Sequence, residues 1–127
     1  MRTILLVDDD KDLRYMLKYL IETTSDFEVA GEASNGEEAV AQVEVIHPDV
    51  VVMDVQMPVL DGVEATKRIK ELHPSVHVVG LTAFGQYPEV MLGAGASRCL
   101  LKNDSYTSLV PTLNRLKSEA ESGEAWI

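Results

Sequence analysis

The sequence predicts a five-stranded, doubly wound α/β domain built on a parallel sheet, and three observations predict it. Short apolar runs alternate with amphipathic helical patterns along the chain. The third run, Val50-Val51-Val52-Met53, has no polar alternation, as in a strand buried on both faces, and it stops at Asp54. Finally, Asp8 and Asp9, Asp54, Thr82 and Lys102 each follow directly on an apolar run. In an open sheet that puts them at the carboxyl ends of strands, where ligands gather, although an acidic residue there also serves as a helix cap.

Taken in order, Thr3 to Val7 is the first strand, and Lys11 to Ile21 sets Leu13, Met16, Leu17, Leu20 and Ile21 on one helical face. Phe27 to Ala33 reads as a strand and Asn35-Gly36 as a turn. Glu37 to Ile46 is a helix burying Ala39, Val40, Val43 and Ile46, closed by His47-Pro48-Asp49. Met57 to Gly62 is too rich in turn formers for helix or strand and lies as a loop beside Asp54. Asp61 caps the next helix with Glu64 three residues on. Val63, Ile69 and Leu72 mark its buried side, and His73-Pro74 stops it. Val76 to Leu81 is the fourth strand, Pro88 to Ala94 holds only about two helical turns, and Ser97 to Leu101 is the fifth strand. Leu109, Leu113 and Leu116 define a last helix; Pro111 within it means a late start, near Ser108, or a kink. Residues 1–117 are expected to form one domain. Residues 118–127, small, polar and acidic up to Trp126, read as a frayed helix end or the start of a linker.

A chain of 127 residues with 46% hydrophobic content supports one core and no second sizeable domain. Its apolar runs fall far short of a membrane span, and Met1-Arg2-Thr3 leads straight into a strand, so a cytoplasmic protein is expected. The net charge of −10 argues against direct nucleic-acid binding and favours cations and basic partner surfaces. Cys99, the single cysteine, sits beside Leu100 and Leu101 and reads as a buried, inert thiol. His47, His73 and His77 are scattered, which favours structural roles over metal binding.

If the strand order is 2-1-3-4-5, strands one, three, four and five bring Asp8 and Asp9, Asp54, Thr82 and Lys102 to one edge. Carboxylates without histidine or cysteine partners favour a hard cation, and three of them plus water suit Mg2+. With that charge in place, Asp54 becomes a candidate nucleophile for a phosphoryl group whose oxygens Lys102 and Thr82 hold. Two other readings share parts of this pattern. A flavodoxin-like FMN electron carrier needs a Ser/Thr/Gly-rich first loop, whereas Asp8-Asp9-Asp10 would repel the flavin phosphate. An aspartyl-nucleophile phosphatase needs a second carboxylate two residues on, where Gln56 stands.

Leu-Leu-Val-Asp-Asp at 5 to 9, Asp54 followed by Met57-Pro58 and Asp61-Gly62, Leu-Thr-Ala at 81 to 83, and Gly-Ala-Ser with Leu-Leu-Lys at 95 to 102 make a specific set. Over residues 2 to about 117 the chain resembles the CheY-like receiver domain of two-component response regulators. The run from Val29 to Ala39 looks most like receivers of LuxR-type (NarL/FixJ) regulators. The resemblance implies a flavodoxin/CheY-like (βα)5 fold and a phosphoryl group accepted on Asp54 from a sensor histidine kinase. It implies Mg2+ bound by Asp9 directly, by Asp8 through water, by Asp54 and by the backbone carbonyl of Gln56. Thr82 would bond the phosphoryl oxygen and move on activation, Lys102 would pair with phosphate or with Asp54, and small Ala83 would leave the approach open. No enzyme activity is implied beyond self-catalysed phosphoryl transfer and dephosphorylation. Output would run through a transcriptional domain outside this chain or, alternatively, through the protein contacts of a stand-alone or relay receiver. The implied homodimer surface is the fourth helix, fifth strand and fifth helix.

Three departures bear on that output. Cys99 stands where the family usually has a switching aromatic, and Tyr87 is a candidate substitute. Asn103 follows the lysine instead of proline, which leaves the isomer of that loop open. The stretch from Thr82 to Gly95 is about two residues short, which predicts a stunted fourth helix.

Overall fold

Strands and helices alternate throughout the computed structural model, which describes residues 2–57, 59–83 and 87–122, without the side chains of Tyr87 and Ser122. In chain order they are β1 (Thr3–Val7), α1 (Lys11–Thr24), β2 (Glu28–Ala33), α2 (Gly36–Ile46), β3 (Val50–Asp54) and α3 (Gly62–Leu72). Then follow β4 (His77–Thr82), α4 (Tyr87–Gly93), β5 (Arg98–Leu101) and α5 (Ser105–Ser122), the last preceded by a 3-10 turn over Lys102–Asp104. All strand pairs are parallel, in the predicted order β2-β1-β3-β4-β5. No helix among the described residues is long and apolar enough to cross a membrane.

The continuous apolar runs follow from this topology. Successive side chains of a strand point to opposite faces, and in β1 and β3 both faces are covered by helices. Leu5, Val7, Val51 and Met53 pack with Ala39, Val43, Ala65 and Ile69 on one side. Ile4, Leu6, Val50 and Val52 pack with Leu17, Ile21, Leu109 and Leu113 on the other. Each fully buried valine of β3 contributes about 1.5–3 kcal/mol by leaving water.

Helix starts are set by side-chain caps: Asp10 accepts from the Asp12 and Leu13 N–H groups, Asn35 from Glu38 and Asp61 from Glu64. α1 runs three residues beyond its expected end at Ile21. Thr23, Thr24 and Ser25 hydroxyls donate back to the carbonyls of Tyr19, Leu20 and Ile21, satisfying groups that a helix end leaves open.

Three expectations are corrected. Leu72 is 64% exposed, because α3 turns Ala65, Thr66 and Ile69 inward and the Thr66 hydroxyl is satisfied by the Gly62 carbonyl. The last helix does not start late: it begins at Ser105, with the Ser105 hydroxyl on the Lys102 carbonyl, and continues through Pro111 to Ser122. Pro111 lies on the exposed side, so the lost backbone bond is offset by burial of Leu109, Leu113 and Leu116 opposite. Cys99 is half-buried instead of enclosed, since β5 is an edge strand with none of its residues fully covered. The short α4 is as expected. Pro58, Trp126 and the Tyr87 side chain lie outside the described residues.

Candidate functional site

Asp54 ends β3, Thr82 ends β4, and Asp8 and Lys102 are the first residues beyond β1 and β5, so strand pairing alone brings four of the predicted site residues to one edge. Carboxylate oxygens of Asp8, Asp9 and Asp54 lie within 4.8 Å of one another. Asp54 and Thr82 are wholly buried and Asp8 nearly so, while Asp9 is exposed. Asp54 is thus covered, although it ends its strand. α3 begins hard against it, and a Cβ on Gly62 would stand only 2.2 Å from the Asp54 carbonyl oxygen. Only glycine permits that approach.

The Lys102 ammonium stands 3.1 Å from Asp8 Oδ2 and 3.1 Å from Asp54 Oδ1. Oδ1 of Asp54 also accepts the Gln56 N–H at 3.3 Å, and Oδ1 of Asp8 accepts the Asp10 N–H at 2.8 Å. The second oxygens, Asp8 Oδ2 and Asp54 Oδ2, are buried and accept no hydrogen bond among the described residues, the lysine lying near Asp8 Oδ2 as an ion pair. Burial, then the neighbouring Asp8 charge, pushes the Asp54 carboxyl up to about 6 against the pull of Lys102 and the Gln56 N–H. Asp8 is raised too, mainly by burial. Burial opposes the charge of Lys102, but the two carboxylates outweigh it and raise its pKa.

Three carboxylates against one ammonium leave two negative charges uncompensated, with two buried carboxylate oxygens that accept no hydrogen bond among the described residues. A hard divalent cation fits that donor set, and a soft metal does not.

Two functional contacts escaped the sequence. The Gln56 side chain, expected to matter only through its backbone, donates from Nε2 to the Thr82 hydroxyl at 3.2 Å. Arg14, one turn into α1, donates from a terminal guanidinium nitrogen to the Asp8 carbonyl and from Nε to Glu32 at 2.9 Å. Its place one turn after the capping Asp10 was a signal; the amide's direction left none. Ala83 is exposed at the site's rim. Cys99 lies away from it, its sulfur 3.1 Å from where a Cβ on Gly80 would be, beside Met91 of α4.

Fold and edge chemistry together define the CheY-like class of doubly wound domains. The chain belongs to the response regulator receiver domain family, whose model matches residues 4–114. It is 38% identical over 117 residues to the chemotaxis protein CheY of Thermotoga maritima, covering 91% of this chain and 97% of that one. Among solved structures, a LuxR-family two-component response regulator from Aurantimonas sp. SI85-9A1 superposes with a TM-score of 0.85 at 29% identity, over 90% of this chain and 83% of that one. A chain of the CheX-CheY-BeF3-Mg+2 complex from Borrelia burgdorferi superposes at 0.75 and 28% identity, over 80% of this chain and 78% of that one. The protein is therefore a phosphoacceptor switch module of two-component signalling, a family that works with histidine kinases and generally binds Mg2+ at such an acidic pocket.

Proposed function

We propose that this receiver takes one phosphoryl group onto Asp54 from a sensor histidine kinase and changes conformation in response. The observation that carries this is the buried Asp54 Oδ2, which has a free lone pair beside two further carboxylates and one ammonium. Oδ2 attacks the phosphorus of a phosphohistidine; the new O–P bond forms as the P–N bond breaks, and its electron pair leaves with the imidazole. When bound, Mg2+ supplies the positive charge that lets a phosphoryl group approach an acidic site. Asp9 would hold it directly, Asp8 through water, Asp54 by its carboxylate and Gln56 by its backbone carbonyl. Lys102 would leave Asp8 and Asp54 to meet the transferred oxygens, and the Thr82 hydroxyl would bond one of them. Ala83, small and exposed, keeps the approach open. Catalysis beyond this self-phosphorylation and dephosphorylation is not proposed.

For output, the likeness to a LuxR-family regulator supports transcriptional control through a further domain, with residues 1–117 as the receiver and 118–127 as a tail or linker. A second reading, stand-alone or relay action by protein contact, is favoured by the coverage of CheY over nearly its whole length. In both, this chain is cytoplasmic and makes no direct nucleic-acid contact, in keeping with its charge of −10. Exposed Val90, Leu92, Leu101 and Tyr106 on α4, β5 and α5 offer a homodimer surface.

Intact-mass analysis after incubation with acetyl phosphate tests the proposal. One phosphoryl adduct should form with Mg2+ present and be lost in Asp54→Asn. An equal mass gain in that variant would overturn it.

A further inference from the structure

We infer that Arg14 is a positioning residue for the metal-binding loop. Its guanidinium donates to the carbonyl oxygen of Asp8 and is itself held by Glu32 on β2, and its side chain is only 15% exposed. The inference rests on the reading of Asp9 as the direct Mg2+ ligand. Among the described residues, the Asp9 carboxylate accepts no hydrogen bond and stands exposed, so nothing orients it except its own backbone. That backbone is fixed through its neighbours. The peptide joining Asp8 to Asp9 is planar, so holding the Asp8 oxygen sets the direction in which the Asp9 N–H and Cα leave. The remaining ties among the described residues are the Asp8 N–H on the Ala33 carbonyl at 3.1 Å, the Asp10 N–H on Asp8 Oδ1, the Arg14 N–H on the Asp10 carbonyl at 3.1 Å, and Asp10 capping α1. These flank Asp9, but among the described residues only Arg14 grips the plane that leads into it.

The guanidinium binds a carbonyl, not a carboxylate of the site, and its charge is paired with that of Glu32. The contact that reaches the site is thus a positional one, made to the backbone of the loop. Side chains that orient metal ligands from outside typically change metal affinity by about ten-fold or more. For an exposed ligand with one such brace, a loss of about 5- to 10-fold is expected in Arg14→Gln, with Arg14→Lys between that variant and wild type. Glu32→Gln, which loosens the brace without removing it, should weaken affinity about two-fold.

Calorimetric titration of the metal-free protein with Mg2+ alone, beside thermal unfolding without metal, separates the outcomes. The inference predicts weaker Mg2+ binding in the order Glu32→Gln, Arg14→Lys, Arg14→Gln, with amide NMR shifts of Asp8, Asp9 and Asp10 displaced before any metal is added. Lowered melting temperature with unchanged Mg2+ affinity would mean that Arg14 only ties α1 to β2, and would overturn it. Asp9→Ala is the control: if it leaves affinity intact, the assignment of Asp9 itself fails, whatever Arg14 does.

Discussion

A carboxyl held at about 6 cannot be indifferent to the acidity around it, and Asp54 makes the metal-free protein a structure at odds with its own site. The ordinary value is 3.8, so the folded state holds the Asp54 proton more tightly than the unfolded chain does. Its stabilising contribution is complete below that ordinary value and is lost as pH rises through about 6. At neutral pH without metal, Asp54→Asn should therefore raise stability, on the order of 2 kcal/mol, as urea unfolding would show. Mg2+ affinity of wild type should fall steeply below pH about 6, as the ligand protonates. Asp49 has the opposite sign. Burial works against its charge, but the Arg2 and Thr3 N–H groups and the Thr3 hydroxyl hold its carboxyl below 3.8. Its contribution is present above that value and disappears as pH drops through its lowered one. Val59, next to the site, carries a strained backbone at φ 70 on a β-branched residue that is 73% exposed. Val59→Asn should stabilise by about 0.5–1 kcal/mol, measured the same way, since asparagine tolerates that region and little packing is lost. The identities of Asp54, Thr82 and Lys102 were legible because each ends an apolar run. The burial of Asp54 and the Gln56 amide on Thr82 were not, because each depends on elements distant in sequence closing over the loop, whereas the Arg14 brace left only its spacing from Asp10 as a signal.

Elements were legible where one signal dominated and misjudged where two competed. β1, α2 and β3 carry unbroken patterns and fall where the patterns put them. α5 set a periodic leucine row against a proline, and local chemistry argued for a late start. Burial of three leucines against the sheet prevails over one lost backbone bond, as tertiary packing usually does over propensity. Pro111→Ala, on the exposed side, should thus raise stability by about 1–3 kcal/mol by restoring the bond to the Thr107 carbonyl. A decrease in thermal stability would mean that α5 needs a bend there. Leu72 went wrong for the opposite reason: helical spacing cannot tell where a helix leaves the core, and α3 has already done so at its last residue. At β5 the apolar string around Cys99 suggested enclosure, although the expected sheet order already made the strand an edge. Gly80, Cys99 and Met91 are in mutual reach there, so a sulfur and a flexible methionine fill the space beneath α4. Neither is a rigid ring that swings, and coupling from Thr82 to the two-turn α4 should be weak. Sedimentation with beryllofluoride and Mg2+ should show little dimer; full conversion in wild type, lost in Thr82→Ala, would contradict this.

The whole molecule explains why four weak signals became one strong site. Each acid, hydroxyl or lysine after a strand is ordinary alone. A parallel sheet ordered 2-1-3-4-5 sends every strand's carboxyl end to the same edge, and there the groups become an ion-pair network with charge left uncompensated. On the function proposed, this network directs a phosphoryl group to one residue, Asp54. Borohydride reduction of the protein after reaction with acetyl phosphate and Mg2+, followed by peptide mass mapping, locates the acyl phosphate directly. The reduced residue is expected at position 54 alone; reduction at position 8 or 9, or none at 54 while phosphate is bound, would contradict phosphorylation of Asp54.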